Sequence, residues 1–382
     1  MPRFYAGRLY SILMAAVPDA KKFRKALLGW FEKNRRALPW QDGVGHPTKM
    51  KRDYQIFISE IMLQQTRVEQ ALPYYKHWVA SVPSFEVLAK TPMQKLLKLW
   101  EGLGYYARVQ YLKEAARIVV REHGGRIPVD YAQIRALPGV GDYTAAALGS
   151  FIHQQPYLAI DGNNFRVLSR VLARPGNFSN QTDRKKLSEA ASGLLDPMRP
   201  GAFNRALMRL GASVCLPKNP KCGICPVRYF CWAYKAKQVK RYPSPRRRLK
   251  APHYQIAAGI IWKEGTILIA QRKPEGFLGG LWEFPGGKRK RGETRAEACR
   301  REIREETGAR VRVGPLAQKI RHGYSHFSIT LSAFHCFYQN GKPRALGCQK
   351  VKWVRPENLV KYPFPKANQK IVPLLASGTL LP

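Results

Sequence analysis

The chain has 382 residues, 45% of them apolar, which is enough to bury two ordinary cores, so two domains and a linker are expected. A formal net charge of +41 is far beyond what solubility requires and points to a polyanionic partner held by salt-sensitive contacts, although charge alone does not separate DNA from RNA or an anionic membrane. No apolar run approaches the length of a membrane span, and the seven cysteines do not suggest a disulfide framework: four lie between Cys215 and Cys231 while Cys299, Cys336 and Cys348 stand alone, which argues for a reducing compartment and one metal site.

Residues 1–22 read as an N-terminal extension; the apolar run from Leu9 to Val17 is short for a targeting segment and is interrupted by Tyr10 and Ser11. Phe23, Leu27, Trp30 and Phe31 share one face of an amphipathic helix that ends near Arg36 and Leu38-Pro39-Trp40. The polar stretch from Asp42 to Asp53 reads as a surface loop. From Tyr54 the text YQIFISEIMLQQTRVEQALPYY predicts one strong helix, on which Glu60 shares a face with Ile56, Phe57 and Leu63. A carboxyl there is desolvated, so its pKa rises and a proton stays available near neutral pH, as a general acid requires; a Glu snorkelling from the edge of a core fits the same pattern. In residues 99–112, LWEGLGYYARVQYL, two glycines precede Tyr105, Tyr106 and Arg108, a set that serves as core or, beside a basic groove, as a stacking surface for bases.

Leu137-Pro138-Gly139-Val140-Gly141 cannot continue a helix, because Pro138 restricts the residue before it and Gly139 and Gly141 tolerate positive φ and close backbone approach. A helix starting at about Asp142 aims its unpaired N–H groups and positive dipole end out of this turn, a cradle suited to one DNA phosphate. The pattern is a helix-hairpin-helix. Asp161, in Ile160-Asp161-Gly162-Asn163-Asn164, precedes the helical face Phe165, Leu168 and Leu172; alone, it reads as an N-cap.

The hairpin with Tyr143 and Asp161, together with Ser59-Glu60-Ile61-Met62-Leu63-Gln64-Gln65-Thr66, resembles the endonuclease III superfamily of DNA glycosylases and, within it, the adenine DNA glycosylase (MutY) branch. The resemblance runs from residue 23 to about residue 370. It implies a multi-domain chain: an all-α helix-hairpin-helix glycosylase domain over 23–234, a basic linker over 235–253, and an α/β (α+β) Nudix-like domain over 254–375. The implied activity is removal of adenine mispaired with 8-oxoguanine or guanine in double-stranded DNA, after the base has left the stack. By this resemblance Glu60 protonates the adenine leaving group, Asp161 stabilises the oxocarbenium-like sugar, and Tyr143 and Asn163 position these groups and the nucleophile. Leu63 and Gln65 fill the vacated stack, Tyr105 wedges beside the damaged guanine, and the turn at Gly139 and Gly141 grips the backbone. A carboxyl on an apolar face and another at a helix N-terminus, whose dipole favours the ionised form, match an acid paired with a stabilising carboxylate. Bifunctional relatives carry a Schiff-base lysine where this chain has Tyr143, so a monofunctional enzyme is expected. A cytoplasmic monomer, nucleoid-associated in a bacterium, completes the expectation.

Three positions depart from the family pattern: Gln41 follows Leu-Pro-Trp where the family has Arg, and, just before the cysteines, Arg205 stands where Gln or Glu commonly touches the flipped adenine and Arg209 near where an acid is common. An Arg offers donors only, so the reading of adenine must differ, and Arg36 is the candidate to compensate. Cys215, Cys222, Cys225 and Cys231 give C-x6-C-x2-C-x5-C. On chemistry alone zinc and an iron–sulfur cluster both fit four thiolates; the spacing matches the [4Fe–4S] loop of the superfamily, implied to hold a cationic lobe against DNA.

After the basic, Pro-interrupted linker, strand patterns begin at Tyr254. Gly287-x5-Glu293-x7-Arg301-Glu302-x2-Glu305-Glu306-x-Gly308 resembles the Nudix box, with Ala309 where a larger aliphatic residue is usual. Glu302, Glu305 and Glu306 share a helix face, an arrangement open to Mg²⁺. Tyr324-Ser325-His326 stands where the adenine glycosylases carry a Phe-Ser-His loop that reads 8-oxoguanine. Three other readings stay open: a Nudix hydrolase of oxidised nucleoside triphosphates with a DNA-binding first domain, an endonuclease III-like lyase acting on oxidised pyrimidines, and a non-catalytic mismatch-binding protein.

Overall fold

A computed structural model describes residues 19–41, 48–244 and 251–382. Most of the N-terminal extension, including the run from Leu9 to Val17, the start of the polar stretch at Asp42, and residues 245–250 of the linker lie outside the described residues. No helix of the described residues is long and apolar enough to cross a membrane.

In chain order the helices are α1 (Ala20–Asn34), α2 (Lys49–Leu63), α3 (Val68–Ser81), α4 (Phe85–Lys90), α5 (Met93–Leu99), α6 (Ala107–His123), α7 (Tyr131–Ala136), α8 (Asp142–Ile152), α9 (Gly162–Val171), α10 (Gln181–Ala191), α11 (Pro200–Ser213) and α12 (Trp232–Lys235). Several starts are written in the sequence as side-chain caps: Asp19 accepts from Lys22 N, Thr48 from Lys51 N, and Asp161 from Asn164 N. The Thr48 cap starts α2 before Tyr54, so Lys49–Asp53 are helix and not the expected surface loop. Asp53 is buried and accepts from Arg126 Nε at 2.6 Å. The long helix expected from Tyr54 onward is in fact two, because Gln65 takes a left-handed φ of 58° and α3 begins only at Val68.

The described chain forms two compact units that do not follow chain order. One takes the described residues of Met1–Gln64, Ser84–Glu86 and Ala115–Arg248. At its centre α8 is buried from Thr144 to Ile152, an all-round apolar helix in contact with α2, α7 and α11. Buried Asn204 ties α11 to this core, donating to Ser150 Oγ at 3.0 Å and Tyr157 O at 2.8 Å. Gly211 lets α11 approach the start of α9: a Cβ there would meet Asn163 Cβ at 2.6 Å.

The other unit takes Gln65–Pro83, Val87–Glu114 and Leu249–Pro382. Its seven-stranded mixed sheet comprises β1 (His253–Lys263), β2 (Thr266–Gln271), β3 (Trp282–Glu283), β4 (Gly286–Lys288), β5 (Arg310–Gly323), β6 (Ser328–Asn340) and β7 (Lys350–Val354), with α13 (Arg295–Thr307) and α14 (Val372–Ala376). The strand path is β3-β2-β1-β6-β5; β1 and β6 run parallel, β4 pairs β1 and β7 pairs β2. Strand alternation splits β1 between two cores: Ala258 and Ile260 pack with Phe284 and Phe364, while Ala257 and Ile261 pack with Cys299 and Ile303 of α13. Within this unit Trp282 Nε1 donates to Gln94 Oε1 at 2.9 Å, Gln94 Nε2 to Gly280 O at 3.0 Å, and Phe364 N to Glu101 Oε1 at 2.7 Å. The helical and mixed-sheet architectures agree with the fold class read from sequence.

Candidate active site

Glu60 lies in the last turn of α2, only 6% exposed, where its helix is buried on nearly every side. Tyr143, in the first turn of α8, donates its hydroxyl to Glu60 Oε2 at 3.0 Å. Desolvation pushes the Glu60 carboxyl up to about 7, the Tyr143 hydrogen bond and the Arg205 charge pull it down, and the Asp161 charge pushes it further up. Arg205 projects from α11 with its guanidinium carbon 4.3 Å from the centre of the Phe151 ring.

Asp161 caps α9: Oδ1 accepts from Asn164 N at 2.6 Å and Oδ2 from Asn163 Nδ2 at 3.2 Å. These hydrogen bonds favour the ionised form, but desolvation outweighs them and the pKa is raised. The expected contrast between a raised acid and a dipole-lowered carboxylate is therefore corrected: burial raises both, and the capping bonds only moderate the rise at Asp161. Glu60, Tyr143, Asp161 and Asn163 all belong to one unit.

The hairpin turn is pinned from several directions. Val140 N donates to Leu137 O at 3.1 Å, Arg135 reaches Asp142 Oδ1 at 2.7 Å and Val140 O at 2.9 Å, and Gln64 Nε2 reaches Thr144 Oγ1 at 3.2 Å. Gly139 takes φ +78°, as its sequence suggests. Gly141 does not: it is the extended N-cap of α8, and no atom lies within 4 Å of where its Cβ would stand, so the turn is open on that side. Leu63 is half-buried and Gln65 exposed at the break after α2. Arg36 is exposed beyond α1, while Arg209 is used structurally, donating to Asn34 O at 3.1 Å.

Cys215, Cys222, Cys225 and Cys231 line one cavity whose other walls are largely apolar, among them Val167, Val171, Leu210, Val214 and Val227. Among the described residues no three Cys, His, Asp or Glu side chains are placed to hold a single ion. Four thiolates around an apolar cavity suit a cluster, which takes one cysteine per iron, better than one zinc. Arg170, 3% exposed, donates to Cys215 Sγ at 3.2 Å, Leu216 O at 2.7 Å, Pro217 O at 3.2 Å and Tyr242 O at 2.9 Å. Arg166 joins this loop to the carboxylate site, donating to Cys215 O at 2.8 Å, Gly211 O at 2.9 Å and Asn163 Oδ1 at 2.9 Å. Neither arginine was singled out by sequence; only their i, i+4 spacing on the α9 face hinted at a shared task.

In the second unit Tyr105, exposed and at φ 51°, shares a hydrogen bond with the Ser325 hydroxyl, so the loop after Gly104 meets the Tyr324-Ser325-His326 loop. Phe277, 51% exposed and overlooked in the sequence, stands edge-on to Tyr324 with ring centres 5.0 Å apart. The Nudix-box glutamates are already engaged. Arg301 binds Glu293, Glu302 and Glu305; Glu306 accepts from Gly286 N at 3.1 Å, and burial beside Glu283 and Glu302 pushes it up to about 8. Among the described residues no three such side chains are placed around one point, so Glu302 and Glu305, held by Arg301, and Glu306, held by Gly286 N, do not converge as a possible Mg²⁺ site would need.

Residues 58–194 match the family model described as HhH-GPD superfamily base excision DNA repair protein, residues 215–231 the iron-sulfur binding domain of endonuclease III, and residues 257–374 the NUDIX domain. The adenine DNA glycosylase of Rattus norvegicus is 31% identical, covering 94% of this chain and 79% of that one; the adenine DNA glycosylase of Schizosaccharomyces pombe is 32% identical, covering 70% and 69%. A solved thermostable thymine-DNA glycosylase aligns at 31% identity with a TM-score of 0.50, covering 57% of this chain and 97% of its own.

Proposed function

The chain belongs to the adenine DNA glycosylase family, and from that premise we propose that it excises adenine opposite 8-oxoguanine or guanine as a monofunctional enzyme, with Glu60 as acid and Asp161 as the stabilising carboxylate. The observation that carries the reading is the buried Tyr143–Glu60 pair, in which a carboxyl raised to about 7 keeps a proton to give. As the glycosidic bond breaks, its electrons leave with the base and the Glu60 proton neutralises them. Asp161 then faces the electron-poor sugar, held by Asn163 and Asn164. Water completes the reaction on the sugar carbon, because Tyr143 supplies no amine. The [4Fe–4S] cluster supplies no step; bound by the four cysteines, it fixes the loop that Arg166 links to Asn163.

The left-handed backbones at Gln65 and Tyr105 support their assignment as DNA contacts, since strain of this kind persists where a function requires it. In the proposed domain scheme, residues 23–234 catalyse, 235–253 track the DNA backbone, and 254–375 read the opposing base through Tyr324, Ser325 and His326.

The direct test is single-turnover base release from duplexes with adenine opposite 8-oxoguanine. The wild type should free adenine, leave the strand intact and give no borohydride-trapped adduct, while Asp161→Asn should be inactive; a trapped adduct or an active Asp161→Asn would refute the assignment. Arg205 adds a second expectation. Its charge holds Glu60 below where burial alone would place it, so Arg205→Gln should carry the alkaline limb of the rate profile to higher pH. An unmoved limb would show that Arg205 does not act on Glu60.

A further inference from the structure

Four arginines of the strand-bearing unit line one open groove with Gln339, and no acidic side chain lines it. Arg300 and Arg304 lie one helical turn apart on α13, and Arg310 and Arg312 flank buried Val311 at the start of β5; all four are exposed. Among the described residues none of the four forms an ion pair. Arg301 occupies Glu293, Glu302 and Glu305, and the Arg300 charge acts on Glu297 without an ion pair between them. Arg312 is additionally set by the Phe337 ring, 4.4 Å from its guanidinium carbon, which narrows the directions its fork can take. Four like charges gathered without a counter-charge repel one another, and planar guanidinium forks are the side chains best matched to phosphate oxygens.

We propose that this groove is a second phosphate-binding site that takes the backbone of duplex DNA at a distance from the Tyr324-Ser325-His326 loop of the same unit. Its place in the fold sets the distance. From Arg312 to Gly323, where the Tyr324-Ser325-His326 loop begins, β5 is kinked by register shifts at Val313/Leu316 and Leu316/Gln318, and the β6 stretch paired with it runs nine residues from Ser328 to Phe337, roughly 30 Å at about 3.4 Å per residue, a little under one turn of B-form DNA. The groove and that loop thus stand at opposite ends of the β5–β6 ladder and meet phosphates about a turn apart. This requires only that DNA is the partner, not that the loop reads the lesion.

The test uses the full chain with its cluster, on fully paired duplexes of about three-quarters of a helical turn, hairpin-closed so that they stay paired, and of about four turns. Binding constants are measured against salt for wild type, for combined Arg300→Gln, Arg304→Gln, Arg310→Gln and Arg312→Gln, and for the matching Arg→Lys set. Each phosphate contact contributes roughly 0.9 to the slope of log K against log salt, so the Gln set should lose about 3 to 4 from the slope on the long duplex. Its slope on the short duplex, and single-turnover adenine release from a short mispaired duplex, should be unchanged, and the Lys set should keep most of the long-duplex slope. Equal slopes for wild type and the Gln set on the long duplex would overturn the proposal. So would an equal loss on both duplexes, which would mean that groove and loop share one contact, and a slope that the Lys set fails to keep, which would make the loss structural.

Discussion

Glu60→Gln should abolish measurable adenine release while making the protein more stable above neutral pH. The first effect is the loss of the proton donor; general acids of this kind contribute about 10²- to 10⁴-fold. The second follows from burial. A carboxyl with an ordinary value of 4.5 that sits at about 7 in the folded state binds its proton more tightly there than in the unfolded chain. Its contribution is fully present below 4.5 and is lost as pH rises through 7. At about 1.4 kcal/mol per unit, that loss is of order 3 kcal/mol. Glutamine keeps an acceptor for Tyr143 and has no charge to desolvate. The variant should therefore match wild type in acid and exceed it by about 3 kcal/mol at pH 8, read as urea unfolding at the two pH values. Equal stability at both would mean that Glu60 ionises freely in the folded protein and is no acid reservoir.

Arg170→Met should strip the cluster and unfold its loop. Arg170 is buried, has no carboxylate ion pair among the described residues, and spends its donors on two loop carbonyls, Leu216 O and Pro217 O, on Tyr242 O beyond the loop and on Cys215 Sγ. Removing them leaves buried acceptors unpaired, at about 1–3 kcal/mol each, and removes the positive charge that accompanies thiolate ligation. We expect iron content to fall well below four per chain and stability to drop by about 3 kcal/mol or more. Arg170→Lys, which keeps the charge but loses the fork, should be intermediate. Full iron loading with an unchanged unfolding midpoint in Arg170→Met would show that the loop holds itself.

What the sequence made legible has a common physical character. Glu60, Tyr143, Asp161 and the cysteines could be placed because local spacing sets their geometry: a carboxyl among apolar neighbours on one helix, a residue just past a Pro-Gly turn, an acid at a cap, thiols along one loop; the roles proposed for them came from the family resemblance. Gln64, Arg166, Arg170 and Phe277 stayed hidden because their partners lie far along the chain: Gln64 meets Thr144, Arg166 meets Gly211, Arg170 meets Tyr242 and Phe277 meets Tyr324. Spacing also misled. The apolar pattern from Tyr54 onward carried a helix straight through Gln65, where the backbone instead turns left-handed and ends it. The Nudix box shows a related limit: the periodicity placed three glutamates on one helix face, but said nothing of how Arg301 would share itself among them.

The interleaving of the two units bears on how this protein can be taken apart. A change of sequence character near residue 235 invites a cut there, as though the strands were a detachable attachment. Yet Gln94 and Glu101 hydrogen-bond to Trp282, Gly280 and Phe364, all on the far side of that cut. A fragment ending at the linker would keep these helical residues and lose what they hold, leaving a wet scar where Leu97 now meets Gly280. The place where the composition changes is a poor site for dissection, and a shortened enzyme would be injured within its own helices.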